Sequence, residues 1–252
     1  MKMIVTGGTG SIGKVVCEEL LKRNIIPIVL SRNDSSQEEL KIQHPEIQFV
    51  IGDVTRPEDC RKVFRDEEWS DVIHCAALKH VPHCEENPEQ ASRVNFDGTV
   101  NMFRERRSAF VLVSTDKAVN PINVLGFTKA MAERYVLKNG SHWDRVVRLG
   151  NVIKSRGSIL NVAATHLKEK GFIPVTNFSM RRFWISDKEA AKCIVDAALE
   201  NDMPKVVVPK MEEELLVYTL KKHFGDDVPM KEVGARFGEK IREETHWPWE
   251  VA

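Results

Sequence analysis

The chain has 252 residues, and its 37 Lys and Arg residues are balanced by 37 Asp and Glu residues. This length allows one large domain or two small ones with a substantial core, and the zero net charge argues against partners such as nucleic acid or an anionic membrane. The five cysteines are scattered without metal-ligand spacing, so we expect neither a metal site nor a disulfide framework. We find no signal-peptide pattern and no apolar run near ~20 residues, and we therefore expect a cytoplasmic protein.

Short apolar runs alternate with helical patterns along the first 150 residues. The runs in the middle of the chain are apolar on both faces, as strands of a covered parallel sheet are. Between the first two runs, Ile12, Val15 and Leu20 share one helical face, and Asn24 is a candidate C-terminal cap. The alternation predicts right-handed βαβ units and an α/β fold with a Rossmann-type doubly wound parallel sheet. The six runs are MIVT, IPIVL, IQFVI, DVIHC, AFVLV and DRVVR.

The pattern changes after residue 150. Residues 151–184 are rich in Lys, Arg, Ser and Asn, residues 186–200 predict one amphipathic helix, and KVVVP predicts a late strand. We therefore predict a large domain over residues 1–150, completed by 184–208. Residues 151–183 and 209–252 are predicted to form a small C-terminal lobe, with the substrate cleft between the two parts.

Three glycines with a spacing of three follow the first predicted strand. Gly7 lets the chain turn sharply, Gly10 lets the backbone approach a pyrophosphate, and Gly13 lets the helix pack tightly on the sheet. The helix that begins near Ser11 offers its unpaired N–H groups and its dipole to phosphates. An ordinary glycine-rich turn is the alternative. The strand before the glycines and the helix after them favour a dinucleotide site in the large domain.

The residues after the second predicted strand indicate which dinucleotide binds. NAD-binding folds place an acidic residue there, whereas this chain has Ser31 and Arg32, and an arginine can pair with the 2′-phosphate of NADP. We predict NADP. The alternatives are a solvated arginine and, through Asp34, binding of NAD. Asp53, after the third strand, is predicted to meet the adenine, with a plain Asx turn as its alternative.

Polar residues follow the AFVLV run, at the carboxyl end of a predicted strand, where ligands of open α/β sheets bind. They are Ser114, Thr115, Asp116 and Lys117, and a simple ion pair between the last two is the alternative interpretation. Here the chain resembles the extended short-chain dehydrogenase/reductase superfamily. Within it, the chain resembles the nucleotide-sugar 4,6-dehydratases of capsule and flagellin glycosylation, which act on UDP-N-acetylglucosamine. The segments that carry the resemblance are TGGTGSIGK, SRND, HCAALKHVPHCEENPEQASRVNFDGTVN, STDKAVNP, VRLGNVIKSRGSIL, MRRFWIS and GARFGEK.

The resemblance implies two sets of binding residues and a homo-oligomer. The residues implied for NADP are Gly7, Thr9, Gly10, Ser11, Ile12, Gly13, Ser31, Arg32, Asp53, Val54, Ala76, Ala77, Lys79 and Lys129. The residues implied for the UDP-sugar substrate are Lys79, His80, Asn151, Arg156, Ser158, Arg182, Arg236 and Glu239. Arginine suits a diphosphate because its planar fork bonds two oxygens at once. Each of these residues has a solvated or structural role as its alternative.

The resemblance also implies the chemistry, in which the sugar C4 hydroxyl is oxidised, water is lost across C5 and C6, and hydride returns to C6. Thr115 would hold the C4 hydroxyl, Asp116 would protonate the departing C6 hydroxyl, and Lys117 would take the C5 proton. These roles require a raised pKa for Asp116 and a lowered pKa for Lys117. The two side chains are therefore expected to diverge, as neighbours at a strand end can.

One position departs from the superfamily pattern Tyr-x-x-x-Lys. Lys129 is present and is expected to hydrogen-bond the nicotinamide ribose, but Leu125 stands where the tyrosine base is usual. Tyr135 lies on a different helical face from Leu125 and does not substitute for that tyrosine. Leu125 favours a non-catalytic NADP(H)-binding protein as one alternative, and a UDP-sugar 4-epimerase is the other. The retained Thr115–Lys117 element favours the dehydratase.

Overall fold

A computed structural model describes residues 1–65, 70–153, 155, 157–235 and 237–250. Within these ranges, seven parallel strands form the main sheet. They are β1 (Lys2–Thr6), β2 (Ile26–Ser31), β3 (Gln48–Ile51), β4 (Asp71–His74), β5 (Phe110–Thr115), β6 (Arg145–Leu149) and β10 (Val206–Val207). Their order across the sheet is β3-β2-β1-β4-β5-β6-β10. Because β1 is flanked by β2 on one side and β4 on the other, the strand order reverses there and leaves a crevice at the carboxyl ends.

Helices cover both faces of this sheet, and the alternation of side chains along each strand explains why. The helices are α1 (Ser11–Lys22), α2 (Asp34–Gln43), α3 (Pro57–Val63), α4 (Val81–Glu86), α5 (Pro88–Ser92), α6 (Gly98–Glu105), α7 (Val124–Asn139), α8 (Ile159–Lys170), α9 (Asp187–Leu199) and α10 (Leu216–Phe224). In β1, Met3 and Val5 pack on one face with α1 and α9, whereas Ile4 packs on the other with α3, α6 and α7. The predicted doubly wound α/β fold is confirmed.

Short elements complete the chain around the helices. Asn24 follows the C-cap of α1 in the left-handed region, with φ 58°, as expected of a residue that ends a helix. A π-helical turn over Arg93–Asp97 joins α5 to α6, and 3₁₀ turns lie at Asp116–Ala118 and Pro248–Glu250. None of the described helices is long and apolar enough to cross a membrane.

The remaining strands form two small sheets after β6. They are β7 (Asn151–Val152), β8 (Ile173–Val175), β9 (Arg181–Ile185), β11 (Glu212–Leu215) and β12 (Met230–Glu232), in the orders β11-β9-β7 and β12-β8. Their core is separate from that of the main sheet and includes Met180, Trp184 and Leu216, packed with residues of α8 and α10. The division into two domains remains a prediction.

Candidate active site

The glycine-rich loop leaves β1 in a conformation that only glycine adopts easily. Gly7 has φ +65°, and its N–H donates to the carbonyl oxygen of Leu30 at 2.8 Å. A Cβ on Gly7 would lie 2.9 Å from backbone atoms of Ala76, and a Cβ on Gly13 would overlap the carbonyl oxygen of Gly7. The loop therefore lies directly against the backbone that follows β4, and neither position has room for a Cβ. This lack of space explains why glycines occupy two of the three motif positions.

The start of α1 fits the dinucleotide that the sequence predicts. The helix begins at Ser11, and its N-cap residue, Gly10, makes no side-chain capping bond. Its first turn contains no acidic residue, so no carboxylate opposes an anion at the positive end of the helix dipole. A pyrophosphate placed there would meet backbone N–H groups and no carboxylate from the first turn of α1.

Arg32 and Asp53 lie side by side at the ends of β2 and β3. The Arg32 side chain is 59% exposed, and its Nη1 lies 3.6 Å from Asp53 Oδ2. The other Asp53 oxygen accepts a 2.9 Å hydrogen bond from the N–H of Thr55, and this bond forms the Asx turn that the sequence offers as the alternative. The Ser31 hydroxyl accepts a hydrogen bond from Gln37, whereas the Val54 side chain is buried in the core.

The segment after β4 carries the next group of predicted residues. Ala76 touches the glycine loop, and Ala77 and Lys79 are exposed. His80 precedes α4, and its ring packs against Gly157, where a Cβ would overlap it. Burial lowers the pKa of His80, and the nearby Lys79 lowers it further. His80 therefore bridges the segment after β4 and the segment before α8.

Thr115, Asp116 and Lys117 meet in a tight cluster at the carboxyl end of β5. The Thr115 hydroxyl donates to Asp116 Oδ1 at 2.9 Å, and Lys117 Nζ lies 3.0 Å from the same oxygen. Asp116 is fully buried, and its Oδ2 has no hydrogen-bond partner among the described residues. The expectation that Asp116 and Lys117 diverge is wrong. The 3₁₀ turn that begins at Asp116 brings both side chains to one side, where a buried carboxylate pairs with the nearest cation.

The pKa of Lys117 is also shifted opposite to the expected direction, because carboxylates surround its amine. Burial lowers the pKa of Lys117, and the guanidinium of Arg182 also lowers it. The carboxylates of Asp116 and Glu243 outweigh both effects and raise the pKa above its usual value. The structure therefore favours the ammonium form of Lys117, whereas the predicted role as a base requires the neutral amine.

Glu243 belongs to the site, although no local sequence signal points to it. It is 3% exposed, and its Oε1 lies 3.5 Å from Lys117 Nζ. It follows the GARFGEK segment by three residues, in a stretch whose charge pattern is typical of a solvated surface. Only the path of the chain across the main sheet places this carboxylate beside Lys117.

Lys129 and Leu125 lie on successive turns of α7. Lys129 is 3% exposed, and its Nζ donates to the carbonyl oxygen of Val113 at 2.7 Å. Burial lowers the pKa of Lys129 to about 8. Leu125 packs in an apolar cluster with Cys84 and Ala91. Tyr135 lies elsewhere on the helix, where its hydroxyl accepts a hydrogen bond from Arg104, and it does not replace the missing phenol.

The residues predicted to bind the substrate are only partly brought together. Arg182 is 6% exposed and donates to the carbonyl oxygens of Arg181 and Ile241, close enough to Lys117 to act on its pKa. Asn151 lies on β7, beside β9. Ser158 caps α8, and Glu239 accepts a hydrogen bond from Thr176. Arg156 and Arg236 lie outside the described residues.

Two clefts border the segment formed by residues 237–250. One, of about 410 Å³, is lined by Phe183 of β9 and by residues 242–246, including Glu243. The other, of about 240 Å³, is lined by Val81, Pro82, Phe237 and Glu239, among others. The described residues contain no group of His, Cys, Asp and Glu side chains arranged to hold a metal ion.

Comparison with family models matches residues 3–249 to the family described as polysaccharide biosynthesis protein. The chain belongs to this family. It is 38% identical to a protein of Methanocaldococcus jannaschii described as an uncharacterized membrane protein, over 96% of this chain and 79% of that protein. It is 34% identical to the UDP-N-acetylglucosamine 4,6-dehydratase (inverting) of Campylobacter jejuni (96% and 76% of the two chains), and 32% identical to the UDP-glucose 4-epimerase of Rickettsia bellii (94% and 75%).

Solved structures share the fold. Pen from Bacillus thuringiensis matches with a TM-score of 0.84 and 29% identity, over 95% of this chain and 80% of that one. DesIV, a dTDP-glucose 4,6-dehydratase from Streptomyces venezuelae solved with NAD and TYD bound, matches with a TM-score of 0.83 over 98% and 88% of the two chains. At 19% identity, DesIV shows the fold alone. The resemblance to the extended short-chain dehydrogenase/reductase superfamily is confirmed, and the chain is an enzyme of that type.

Proposed function

We propose that this chain is an NADP-dependent nucleotide-sugar 4,6-dehydratase that acts on UDP-N-acetylglucosamine and serves the synthesis of a surface polysaccharide or glycan. The observation that carries the proposal is the contact of a hydroxyl, a carboxylate and an amine at the end of β5. Thr115, Asp116 and Lys117 supply these groups within 3.0 Å of one shared oxygen. The Campylobacter jejuni relative named as such a dehydratase supports the substrate.

The proposed cofactor site is formed by the loop after β1, the end of β2 and the helix beside β5. The glycine loop and the start of α1 would hold the pyrophosphate, Arg32 would pair with the 2′-phosphate, and Lys129 would hydrogen-bond the nicotinamide ribose. When bound, NADP accepts and returns the hydride that the reaction moves from C4 to C6. Lys129 already lies beside β5 through its hydrogen bond to Val113. We also expect a cytoplasmic homo-oligomer.

The paired state of Asp116 and Lys117 is compatible with dehydration. The ion pair and the working pair, a neutral Lys117 amine beside a protonated Asp116, hold the same number of protons. Transfer of one proton from Lys117 Nζ to Asp116 Oδ1, which lie 3.0 Å apart, converts the ion pair into the neutral pair. A bound sugar nucleotide excludes water, and loss of water disfavours charged groups. Lys117 can then take the C5 proton while Asp116 gives its proton to the leaving C6 hydroxyl.

A UDP-sugar 4-epimerase is the second candidate, and the 32% identical Rickettsia bellii relative favours it. An epimerase oxidises and reduces C4 only, so it needs no acid for a leaving hydroxyl. The buried Asp116 carboxyl would then have no chemical task. Epimerases of this superfamily also generally rely on the tyrosine that Leu125 replaces. We therefore favour the dehydratase.

Mass spectrometry in deuterated water tests the proposal. The protein is incubated with UDP-N-acetylglucosamine and NADP⁺, and the product mass is measured. Loss of one water with one deuterium gained supports dehydration through exchange at C5. A product of unchanged mass that separates from the substrate by chromatography indicates epimerisation. No conversion of this substrate or of a panel of sugar nucleotides, with NADP binding shown separately, overturns the proposal in favour of a non-catalytic NADP(H)-binding protein.

A further inference from the structure

We propose that Glu243 is a positioning residue that shares the Lys117 ammonium with Asp116 and so controls when Lys117 becomes a base. The role of Lys117 as a base rests on the proposed function, whereas the contact with Glu243 does not. Glu243 reaches Lys117 from the C-terminal part of the chain, more than 120 residues away in sequence, and was not among the predicted site residues.

Three hydrogen bonds attach the segment that carries Glu243 to residues 119–123, which follow Lys117. Lys240 Nζ donates to the carbonyl oxygen of Val119 at 2.6 Å, and the Asn123 amide donates to the carbonyl oxygen of Gly238 at 2.8 Å. Asn120 donates to Glu244 at 2.6 Å. Because bonds on both sides of Glu243 hold the segment to the loop after Lys117, its carboxylate has a defined position.

Among the described residues, two cations lie close to the Glu243 carboxylate. Its Oε2 is buried, has no hydrogen-bond partner in the described part of the chain, and lies 3.5 Å from Lys240 Nζ. Its Oε1 lies 3.5 Å from Lys117 Nζ. A buried carboxylate oxygen without a hydrogen bond is costly unless cations compensate its charge. Lys117 and Lys240 provide that compensation.

The charges that face Lys117 determine the effect of Glu243. Asp116 on the same turn and Glu243 on the C-terminal segment attract the ammonium, whereas Arg182 on β9 repels it. Lys240 lies beyond Glu243 and partly neutralises it. With Glu243 ionised, the charged Lys117–Asp116 pair is favoured over the neutral pair that dehydration uses. Glu243 therefore holds the nitrogen in place and keeps Lys117 protonated before the substrate arrives.

Reactivity of the Lys117 amine measures this control without turnover. The full chain is pulsed with acetic anhydride over a range of pH, and acetylation of the Lys117 peptide is followed by mass spectrometry. In Glu243→Gln, which keeps the side-chain shape, the pH of half-maximal labelling should fall by about one pH unit or more. The control Glu169→Gln, an exposed residue on α8, should leave it unchanged, because Glu169 lies outside the segment that carries Glu243. An unchanged labelling pH in folded Glu243→Gln overturns the proposal.

A second variant covers the case in which Glu243→Gln does not fold. Glu243→Asp keeps the charge but shortens its reach, so a smaller downward shift is expected, and no shift contradicts the proposal. If the enzyme is active, kcat should increase with pH as Lys117 loses its proton. In Glu243→Gln this increase should occur at lower pH than in the wild type, and KM should change less than kcat. A purely structural role lowers activity without moving this increase. Labelling also separates the two proposals, since it reports on Lys117 even if no sugar nucleotide is converted.

Discussion

Leu125 and Lys129 lie one turn apart on α7 but in different surroundings. Leu125 is 5% exposed and packs against Cys84 and Ala91, whereas Lys129 donates a 2.7 Å hydrogen bond to the carbonyl oxygen of Val113. The position that holds a tyrosine in most of the superfamily is thus filled by a packed apolar side chain. Lys129 is held by the end of β5 and needs no phenol to orient it.

The packing of Leu125 predicts the effect of restoring the tyrosine. Leu125→Tyr adds a ring and a hydroxyl to a closed apolar cluster, so we expect a loss of about 1–3 kcal/mol in the free energy of unfolding. Leu125→Met conserves the volume and should cost less than about 1.5 kcal/mol. Urea unfolding of both variants checks this. If the tyrosine variant is the more stable of the two, the cluster has room for the phenol.

Lys117→Ala tests the role of the base. Turnover should fall by about 10²–10⁴-fold because the group that accepts the C5 proton is lost, while NADP affinity stays nearly the same. Steady-state kinetics and a fluorescence titration of the cofactor measure the two quantities. Lys138→Ala, on the exposed face of α7, is the matched control and should change neither. Equal loss of turnover and cofactor affinity would count against Lys117 as the base.

Arg32→Ala tests the cofactor. Its guanidinium is mostly exposed and only loosely paired with Asp53 at 3.6 Å, so it is available for a 2′-phosphate. We expect NADP⁺ affinity to fall about tenfold or more and NAD⁺ affinity to stay unchanged. Arg61→Ala, an exposed arginine paired with Glu105, should affect neither dissociation constant. A constant ratio of the two affinities in Arg32→Ala contradicts the NADP assignment.

Two glycine substitutions separate steric from conformational effects. A Cβ on Gly13 would overlap the Gly7 carbonyl, so Gly13→Ala should displace the loop, cost about 1–3 kcal/mol of stability and weaken dinucleotide binding. Gly171 ends α8 with φ +73°, and a methyl group added there would meet no described atom within 4 Å. Gly171→Ala should therefore cost only about 1–2 kcal/mol of backbone strain and leave cofactor affinity intact. Thermal unfolding and cofactor titration of both variants measure this, and weaker cofactor binding in Gly171→Ala would contradict it.

Burial of Lys129 predicts a stability that rises with pH. Its pKa is about 8 in the folded state and near 10.5 in the unfolded chain, so between these values the unfolded state binds more protons. The free energy of unfolding attributable to Lys129 therefore increases from pH 8 to 10.5, by roughly 3 kcal/mol in total. In Lys129→Met this rise should be absent. Urea unfolding of both proteins at pH 7.5 and 9.5 tests it, since other titrating groups are common to both, and equal slopes would contradict it.

Much of the fold could be predicted from local patterns. The six apolar runs coincide with β1 to β6, and the helix predicted over residues 186–200 matches α9. The positions of the glycine loop and of the Thr115–Lys117 element could also be predicted. Each is a short motif that follows a strand and precedes a helix or turn. These features depend on residues close together in the sequence.

Only the tertiary structure determines which charged side chains contact one another in the site. The sequence places Asp116 beside Lys117, but only the 3₁₀ turn and the burial of the carboxylate make them a pair instead of diverging side chains. Glu243 joins them through a segment fastened from the far end of the chain. The charge of a buried lysine depends on every carboxylate and cation within a few ångströms. Those neighbours come from distant parts of the chain, so their arrangement is a property of the fold.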